Sequence, residues 1–558
     1  MTPCHDPHWI HPAARAEAVA LARGQQSRRD FLTRVTALGV GAGAAYALAG
    51  LPRPAMAQTD PATPGPTTLR IQMEVRPLRD PRTFDWSEIA NFTRGWLEYL
   101  VEYSHDGSLR GMLLDSWQAN DDATSYLLRV RPGVVWTTGE PFGSADVARN
   151  FDYWCDRSVE GNSMASRLQA LIDPETDRLR AGAVEVLDDL TLRLHLSQPD
   201  VALMAGLSDY PAAVVHMRHD PASMLTDPVG TGPYLPESLE PARRAVLVRN
   251  RAHRWWGDTA EGWGGATLDR IEFLDYGTDP AAWLAAAEAG EIDMLYENVG
   301  DFIDLADQMG WTRSEVQTGA TVVLRGNQDA LVDGRAIYAD LRVRRALQLA
   351  IDNAVCLELG DAGRGQIAEN HHVAPIHPDY APVGGTEYDP ARARALIEEA
   401  DLAGVEHEIV TLDDGLTRRT GDAAAAMLRD AGIKVRRRVL PGSAFWQDWR
   451  SYPLSITEWN HRPLGVQILA LAYRSGEAWN ETGYANPEFD ALLARALTIA
   501  DAEERRSLMA EIEQLLQKDA VIVQPFWRSL YRHSRPGVTG ADMHPSFEIH
   551  LYRLGITA

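Results

Sequence analysis

Two kinds of hydrophobic spacing run along the chain, and together they predict a mixed α/β fold. Residues 191–196 alternate leucine with polar side chains, which is typical of a half-buried strand. Residues 340–352 instead carry apolar side chains three and four positions apart, behind an aspartate suited to cap a helix. Residues 407–439 read as strand, helix and strand, an order that implies two parallel strands.

A compact turn–strand–turn–helix pattern occupies residues 131–147, which read Arg-Pro-Gly-Val-Val-Trp-Thr-Thr-Gly-Glu-Pro-Phe-Gly-Ser-Ala-Asp-Val. Its Pro-Gly pair predicts a turn, because proline fixes φ and glycine tolerates positive φ. A short strand is predicted at Val134–Trp136. A second turn then leads to Ser144, a favourable helix N-cap, with Asp146 in the first helical turn.

The N-terminal segment has the layout of an export signal. Arg28-Arg29 precedes a weakly apolar run at 35–51, and Ala55–Ala57 offers the small residues that a signal peptidase reads. Paired arginines indicate the twin-arginine route, so residues 1–57 are expected to be a signal peptide and 58–66 a linker. Cleavage near Ala57 would leave a soluble periplasmic protein without a lipid anchor, since no cysteine follows the site. A membrane-spanning helix is the alternative for 35–51, although that run is short and contains glycines.

The balance of charges limits the classes of partner. The 558-residue chain carries a formal net charge of −24, which argues against a nucleic-acid partner because phosphate binding needs a basic surface. No run after Leu51 is long enough to cross a membrane. Cys155 and Cys356 stay in the mature chain, where they could form a disulfide in an oxidising compartment or remain as two buried thiols.

Several segments together resemble one protein family. Residues 131–147, the turn Val229–Tyr234 (Val-Gly-Thr-Gly-Pro-Tyr), the turn Gly290–Met294 (Gly-Glu-Ile-Asp-Met) and the helix 340–352 resemble elements of the extracytoplasmic solute-binding proteins of peptide/nickel-type ABC transporters. This family, family 5, includes the dipeptide- and oligopeptide-binding proteins. At Arg249–Trp256 the chain departs from the family's Arg-Asn-x-x-Tyr-Trp element, since the tyrosine position is altered while the tryptophan is kept.

The resemblance implies an α/β, two-lobed periplasmic-binding-protein fold of the large type II variant, with an additional α+β domain. Lobe I would take residues 67–114, 229–317 and 521–558, the extra domain 115–228, and lobe II 318–520. Such a protein captures a peptide-like or other small polar solute between its lobes and delivers it to an ABC permease in the inner membrane. It is expected to be a monomer that needs no cofactor and catalyses no reaction.

Ligands in open α/β sheets bind beyond the carboxyl ends of the strands, and that rule selects the candidate site. It points first to the end of one predicted strand, where Trp459 offers an aromatic plate, Asn460 an amide and Arg462 a fixed guanidinium. It also points to Arg325 and Asn327, which end another strand. The alternative is that Trp459 belongs to the core and Arg462 to a surface ion pair.

The resemblance also bears on the ligand. The family's peptide-binding members place an aspartate in the loop after Trp459 to hold the ligand's α-amino group, and this chain has no aspartate there. Arg462 suits a carboxylate or phosphate in a bidentate manner and cannot serve an ammonium group. An acid-bearing solute is therefore favoured over a dipeptide with a free amino group.

Further candidates follow from the resemblance. Asn91 and Arg94 lie ahead of the first lobe's helix, where the family often lines its pocket. Trp479 and Asn480 lie in a loop that could cover the cleft, and His371 lies in a loop similar to one near the family's cleft. Ordinary loop packing is the alternative for each of them.

Metal binding and catalysis are not expected. His371, His372 and His377 are the strongest metal candidates, but adjacent histidines on an extended segment point to opposite sides, and no Cys/His cluster has ligand spacing. A nickel complex held through an organic chelator stays open as a ligand.

The nucleophile-elbow, zinc-protease, Walker and dinucleotide motifs do not occur in a usable context. A secreted hydrolase is the alternative class, because carboxylates paired across a cleft leave no sequence motif.

Overall fold

The structure is a computed structural model that describes residues 12–23, 25, 31 and 67–557, apart from positions 85, 386, 414 and 478. The predicted paired arginines, the apolar run and the cleavage site at Ala57 lie outside the described residues. Within the described part of the chain, no helix combines the length and the apolar character that a membrane span requires.

The strands are numbered in chain order. They are β1 (Thr68–Gln72), β2 (Val101–Tyr103), β3 (Leu109–Gly111), β4 (Leu114–Ala119), β5 (Ser125–Val130), β6 (Ile172–Asp173), β7 (Arg178–Leu179), β8 (Val184–Asp188), β9 (Thr191–His195), β10 (Tyr234–Glu240), β11 (Arg244–Arg249), β12 (Arg270–Leu274), β13 (Met294–Leu295), β14 (Thr312–Gly326), β15 (Gly365–Ile367), β16 (His407–Leu412), β17 (Val435–Leu440), β18 (Leu454–Trp459), β19 (Phe526–Ser534), β20 (Val538–Thr539) and β21 (Gly555–Ile556).

The α-helices are numbered in the same way. They are α1 (Pro12–Ala22), α2 (Ser87–Thr93), α3 (Ser144–Trp154), α4 (Met164–Arg167), α5 (Leu203–Gly206), α6 (Pro280–Glu288), α7 (Phe302–Gln308), α8 (Leu341–Ala350), α9 (Asn353–Asp361), α10 (Pro390–Glu399), α11 (Gly415–Asp430), α12 (Gly442–Asp448), α13 (Gly465–Ala472), α14 (Pro487–Ala496) and α15 (Ala502–Lys518). Short 3₁₀ helices lie at Pro81–Thr83, Gln169–Leu171, Pro221–Ser223, Trp256–Asp258, Ile337–Ala339 and Leu551–Arg553.

One large mixed sheet runs through most of the described chain. Its strand order is β10-β11-β12-β1-β13-β19-β14-β18-β16-β17, with β15 also paired to β19. β1 is parallel to β12 and β13, and β16 is parallel to β17 and β18. The other pairs are antiparallel, including β14 with its neighbours β18 and β19. The sheet therefore has a parallel group on either side of an antiparallel centre.

β14 connects the two halves of this sheet. Residues 312–317 pair with β19, the register shifts between Gln317 and Thr321, and residues 321–326 pair with β18. Gly319 lies inside the shift, where an added Cβ would stand 2.8 Å from the ring of His377. The predicted lobe boundary after Gln317 falls at this irregularity.

A separate antiparallel sheet, β4-β5-β9-β8, lies almost entirely within residues 115–228, the stretch predicted as the extra domain. Helix α3 packs against β8. Buried side chains of β5 and β9 belong to the same hydrophobic core as those of β1 and β12. This sheet is therefore joined to the first part of the molecule by a continuous apolar core.

The two cysteines of the mature chain lie in different cores. Cys155 belongs to the core around β1 and β5, while Cys356 belongs to a second core under α8, α11 and β16. Both are buried free thiols. Burial raises the pKa of each thiol to about 12, so both stay protonated at neutral pH.

The elements predicted from hydrophobic spacing are confirmed. β9 occupies Thr191–His195 with its leucines buried. Helix α8 begins after Asp340, whose side chain accepts the backbone N–H of Arg342 at 2.9 Å. The strand, helix and strand after residue 406 form β16, α11 and β17, and the two strands are parallel.

Residues 131–147 differ in detail from their prediction. Val134–Trp136 makes only an isolated bridge between Val135 and Pro141 rather than a strand. The cap of α3 is Gly143, whose backbone N–H donates to Asp146 at 3.0 Å. Ser144 is the first helical residue instead of the cap, because its hydroxyl donates to the backbone carbonyl of Asp188.

Asp379→Ala should strongly destabilise the part of the chain around α13 and α15. Asp379 and Arg505 form an ion pair at 3.0 Å with side chains 0% and 2% exposed, and Asp379 also accepts the Gly465 backbone N–H. Without the carboxylate a buried guanidinium loses its partner, so urea denaturation should show about 3–5 kcal/mol less free energy of unfolding. Glu399→Ala is the control, because the exposed Glu399–Arg392 pair contributes less than about 1 kcal/mol. Equal losses in the two variants would contradict this interpretation.

Candidate ligand-binding cleft

A cavity of about 450 Å³ lies at the carboxyl end of β18, where residues predicted for both lobes and for the extra domain meet. From the first lobe come Trp86, Ser87, Tyr103 and residues 545–548. From the predicted extra domain come Ala205, Ser208, Asp209 and Tyr210. From the second lobe come Trp446, Trp449, residues 458–463, Gln467 and Trp479. The cavity therefore has the position and size of a small-molecule site.

The loop after β18 forms one wall, and Trp459, Asn460 and Arg462 all line the cavity. The Arg462 Nη1 donates to the backbone carbonyls of His461 at 2.9 Å and of Asn460 at 3.4 Å. Burial lowers the pKa of Arg462, and the nearby charge of Asp209 opposes that shift. No ion pair joins Arg462 to a carboxylate among the residues that the structure describes. The loop thus presents a guanidinium whose charge is only partly compensated.

The acidic residues Asp209 and Glu548 on the opposite walls already have cationic partners. Asp209 pairs with Arg167 at 2.5 Å, and Glu548 pairs with Arg94 at 3.0 Å. Burial raises the pKa of Glu548, and Arg94 offsets part of that rise. Burial would raise the pKa of Asp209 too, but Arg167 and Arg462 hold it below its usual value. These ion pairs keep the two carboxylates compensated inside the cavity wall.

Arg325 does not line the cavity but lies behind it. Its Nε donates to Glu481 at 3.1 Å, and its Nη2 donates to the backbone carbonyl of Trp449. Glu481 in turn accepts the Trp459 indole N–H at 2.8 Å and the Thr457 hydroxyl at 2.6 Å. Burial lowers the pKa of Arg325 while Glu481 opposes the shift. This buried ion pair therefore holds two aromatic wall residues in place.

Asn327 and Asn480 also lie behind the wall. The Asn327 amide donates to the backbone carbonyl of Arg450 at 2.8 Å, and the Asn480 amide donates to that of Tyr484 at 2.8 Å. Neither residue lines the cavity, whereas Trp479, the neighbour of Asn480, does. The two asparagines shape the loops that carry the wall.

Asn91 and Arg94 support the wall from the segment predicted as lobe I. Asn91 lies inside α2 and Arg94 is its C-cap, so the expectation that they lie ahead of a helix is wrong. Asn91 donates to the backbone carbonyl of Phe547 at 3.0 Å and accepts the backbone N–H of Ile549 at 2.9 Å. Arg94 pairs with Glu548, and its guanidinium stands over the Tyr99 ring at 4.1 Å. Both candidates therefore fix the segment 547–549, and neither lines the cavity itself.

His371 lies away from the cavity, in a buried polar cluster of the second lobe. Its Nε2 is 2.8 Å from Glu369, and burial lowers its pKa. His372 contacts the Tyr473 hydroxyl at 2.7 Å, and His377 contacts the backbone carbonyl of Arg462 at 2.9 Å. The three histidines thus have separate partners.

A second group of possible metal ligands lies beside the cavity and was not found from the sequence. Donor atoms of His544, Glu548 and His550 lie within 4.8 Å of one another. However, His544 Nε2 contacts the backbone carbonyl of Tyr103 at 2.9 Å, its Nδ1 accepts the Ser546 N–H at 3.1 Å, and Glu548 holds its arginine. These contacts occupy both ring nitrogens of His544 and one oxygen of Glu548, and His550 Nε2 lies 3.4 Å from the other oxygen, so the group serves as a hydrogen-bonded wall. Its members lie in an irregular tail segment that gives no periodic signal.

One hydrogen bond crosses the cleft. The Tyr103 hydroxyl lies 2.6 Å from His461 Nε2, and the two rings stack with centroids 5.6 Å apart. His461 Nδ1 accepts the backbone N–H of Gly319, so the neutral ring carries its proton on Nε2 and donates it to Tyr103. Burial lowers the pKa of His461 well below its usual value, which keeps the ring neutral.

Comparison with known proteins agrees with this geometry. Residues 108–480 match the profile of the bacterial extracellular solute-binding proteins, family 5 Middle. The probable peptide ABC transporter periplasmic-binding protein y4tO of Sinorhizobium fredii is 25% identical, over 88% of this chain and 92% of its own. The nickel-binding periplasmic protein of Escherichia coli is 28% identical, over 79% of this chain and 85% of its own.

Solved structures show the same fold. The binding protein AgaA from A. tumefacien R10, in complex with agropinic acid, matches with a TM-score of 0.70 and 18% identity, over 88% of this chain and 99% of its own. This likeness confirms the predicted two-lobed periplasmic-binding-protein fold. The matched relatives are binding proteins of transport systems rather than enzymes. Since the family profile covers more than half of its length, the chain belongs to the bacterial extracellular solute-binding proteins of family 5 and is the substrate-binding component of an ABC importer.

Proposed function

We propose that the cleft captures a small solute bearing a carboxylate and that Arg462 receives this carboxylate. One observation carries the proposal: the Arg462 guanidinium lines the cavity while its own hydrogen bonds go to two backbone carbonyls. A buried guanidinium gains most from an anionic acceptor in bidentate geometry. The relatives named above bind peptide, nickel or an acid, so their names alone do not select the ligand of this chain.

Binding would work through lobe closure. The two lobes rotate about the crossing formed by β14 and β19, water leaves the cleft, and the permease recognises the closed form. Tyr103 and His461, which meet at 2.6 Å, support this mechanism because their hydrogen bond joins residues of the two proposed lobes. The lobe divisions proposed here are residues 67–114, 229–317 and 521–558 for lobe I and 318–520 for lobe II.

Export by the twin-arginine route is part of the same proposal. Members of this family act outside the cytoplasm, and Arg28 and Arg29 stand ahead of an apolar run and a small-residue cleavage site. The mature protein would then work in the periplasm as a monomer beside the inner-membrane permease.

Arg462→Ala should weaken ligand binding by about 1.5–3 kcal/mol, or roughly 10- to 150-fold in Kd, because a charge-assisted hydrogen bond is lost. The ligand is first recovered from gently purified protein by native mass spectrometry, and its Kd is then measured by calorimetry. Arg436→Ala is the matched control, since Arg436 is an exposed arginine on β17 and outside the cavity. An unchanged Kd in Arg462→Ala would refute the assignment.

Glu481→Gln should lower ligand affinity roughly tenfold, because Trp459 and Arg325 lose the carboxylate that positions the wall. Glu98→Gln is a chemically matched control. Glu98 is also a buried glutamate, and it accepts the indole N–H groups of Trp255 and Trp256 at 2.9 and 2.8 Å, but it does not line the cavity. Both variants should lose melting temperature, and only Glu481→Gln should also raise Kd. A rise in Kd of equal size in both variants would contradict the positioning role and show that Glu481 acts only through overall stability.

Exchanging Arg28 and Arg29 together for lysine should hold the precursor in the cytoplasm, because the twin-arginine machinery reads that pair. Cell fractionation followed by immunoblotting measures the distribution. Arg23→Lys, an arginine outside the motif, should leave export unchanged. Normal periplasmic yield from the double variant would show that another route exports the protein.

A further inference from the structure

We propose that the ligand is a small aromatic carboxylate whose planar ring is held between tryptophans of the two lobes. The inference rests on the proposed function, because Arg462 supplies the carboxylate half of the site. It goes further by assigning an aromatic ring to the part of the ligand that does not contact Arg462.

The exposed tryptophans gather at one place. Trp86, Trp446 and Trp479 are 49%, 47% and 46% exposed, and every other tryptophan in the described part of the chain is less exposed. All three line the same cavity. Trp86 comes from the first lobe, whereas Trp446 and Trp479 come from the second. Large apolar surface left in water is unfavourable, so indoles exposed only here indicate a surface that a ligand covers.

Each exposed indole has another side chain packed against it. Trp446 packs against Trp449 with ring centroids 6.0 Å apart, and Trp479 packs against Trp459 at the same distance. The guanidinium carbon of Arg76 lies over the Trp86 ring, 4.4 Å from its centroid. Rings held in this way lose little freedom when a ligand binds. They suit a planar aromatic group, which interacts with indoles by offset stacking or edge contact.

The Trp459 indole in particular cannot turn away from its place. Its N–H donates to Glu481 at 2.8 Å, and its ring packs against His372 with centroids 5.5 Å apart. Because Trp459 and Arg462 lie on one short loop, the aromatic wall and the guanidinium are fixed relative to each other. A ligand that joins a ring to a carboxylate through a short linker satisfies both groups at once.

Size and charge narrow the ligand class. A cavity of about 450 Å³ has the size that a ring with a short acidic side chain requires. The wall carboxylates Asp209 and Glu548 are compensated by Arg167 and Arg94, and Glu458 lies 3.8 Å from Arg528. A ligand that carries a positive group beside its carboxylate gains little from them, which favours a monoanion over a zwitterion.

The test uses two probes that share one carbon skeleton, 3-phenylpropionate and 3-cyclohexylpropionate. Both carry the same carboxylate, and only the first has a planar aromatic ring. Calorimetry on the full-length mature protein should give a Kd roughly three- to tenfold lower for 3-phenylpropionate, as expected for ring–ring contacts. Tryptophan emission should shift to shorter wavelength with that probe, because half-exposed indoles become covered.

The variants Trp446→Leu and Trp479→Leu should each reduce the preference for the aromatic probe. Trp311→Leu is the control, since Trp311 is partly exposed and lies outside the cavity. Equal Kd values for the two probes would overturn the aromatic inference and leave the carboxylate role of Arg462 standing. Equal binding of both probes to wild type and Arg462→Ala would overturn the proposed function instead. Absence of binding by either probe at millimolar concentration would overturn both.

Discussion

The pairing of β14 with β19 on one side and β18 on the other is the constraint on which the cleft depends. A single strand of fifteen residues passes through the middle of the large sheet. It pairs with β19 along residues 312–317 and again at Thr321, beyond the register shift, and with β18 along residues 321–326. The register of β18 against β14 fixes where β18 ends, and the loop that carries Trp459 and Arg462 starts there. A slip of that register by one residue would turn every side chain of β18 to the opposite face. The hydrogen-bonded pairing of β18 with β14 therefore specifies the position of the cleft more strictly than the sequence of the loop does.

Most of the architecture could be predicted from the sequence because it depends on local periodicity. β9, α8 and the unit formed by β16, α11 and β17 each have a buried face that repeats every two or nearly four residues. The first half of β14 could not be predicted in this way. Residues 312–317 are polar and partly exposed, and they are extended because β19 pairs with them, not because they alternate. Ser144 was misplaced as a cap for a similar reason, since the distant carbonyl of Asp188 takes its hydroxyl.

The lining of the cavity was anticipated in part, and the missing part has a physical cause. The strand-end rule selects Trp459, Asn460 and Arg462, the resemblance adds Trp479, and all four line the cavity. The rule does not tell whether a polar side chain points into the cleft or back toward a carbonyl. Arg325, Asn327, Asn91, Arg94 and Asn480 point back, to satisfy buried backbone groups and carboxylates that only the folded chain brings near. Trp86, Trp446 and residues 545–548 come from segments without any motif, so nothing local could link them to the site.

The energetics of closure follow from the contacts around His461. In the closure mechanism proposed above, opening the cleft would cost its hydrogen bond to Tyr103, which contributes about 1 kcal/mol net, as a neutral buried hydrogen bond does. That amount biases an empty protein by only a few-fold toward the closed form. A carboxylate bound to Arg462, as proposed above, would contribute roughly 1.5–3 kcal/mol because one partner is charged. That contact favours closure only as far as the same ligand also contacts the opposite wall, where Trp86 and Phe547 lie, because only differential affinity for the closed form shifts the equilibrium. Because Gly319 of β14 donates to the same imidazole, the strand that carries the register shift also positions the ring that meets Tyr103.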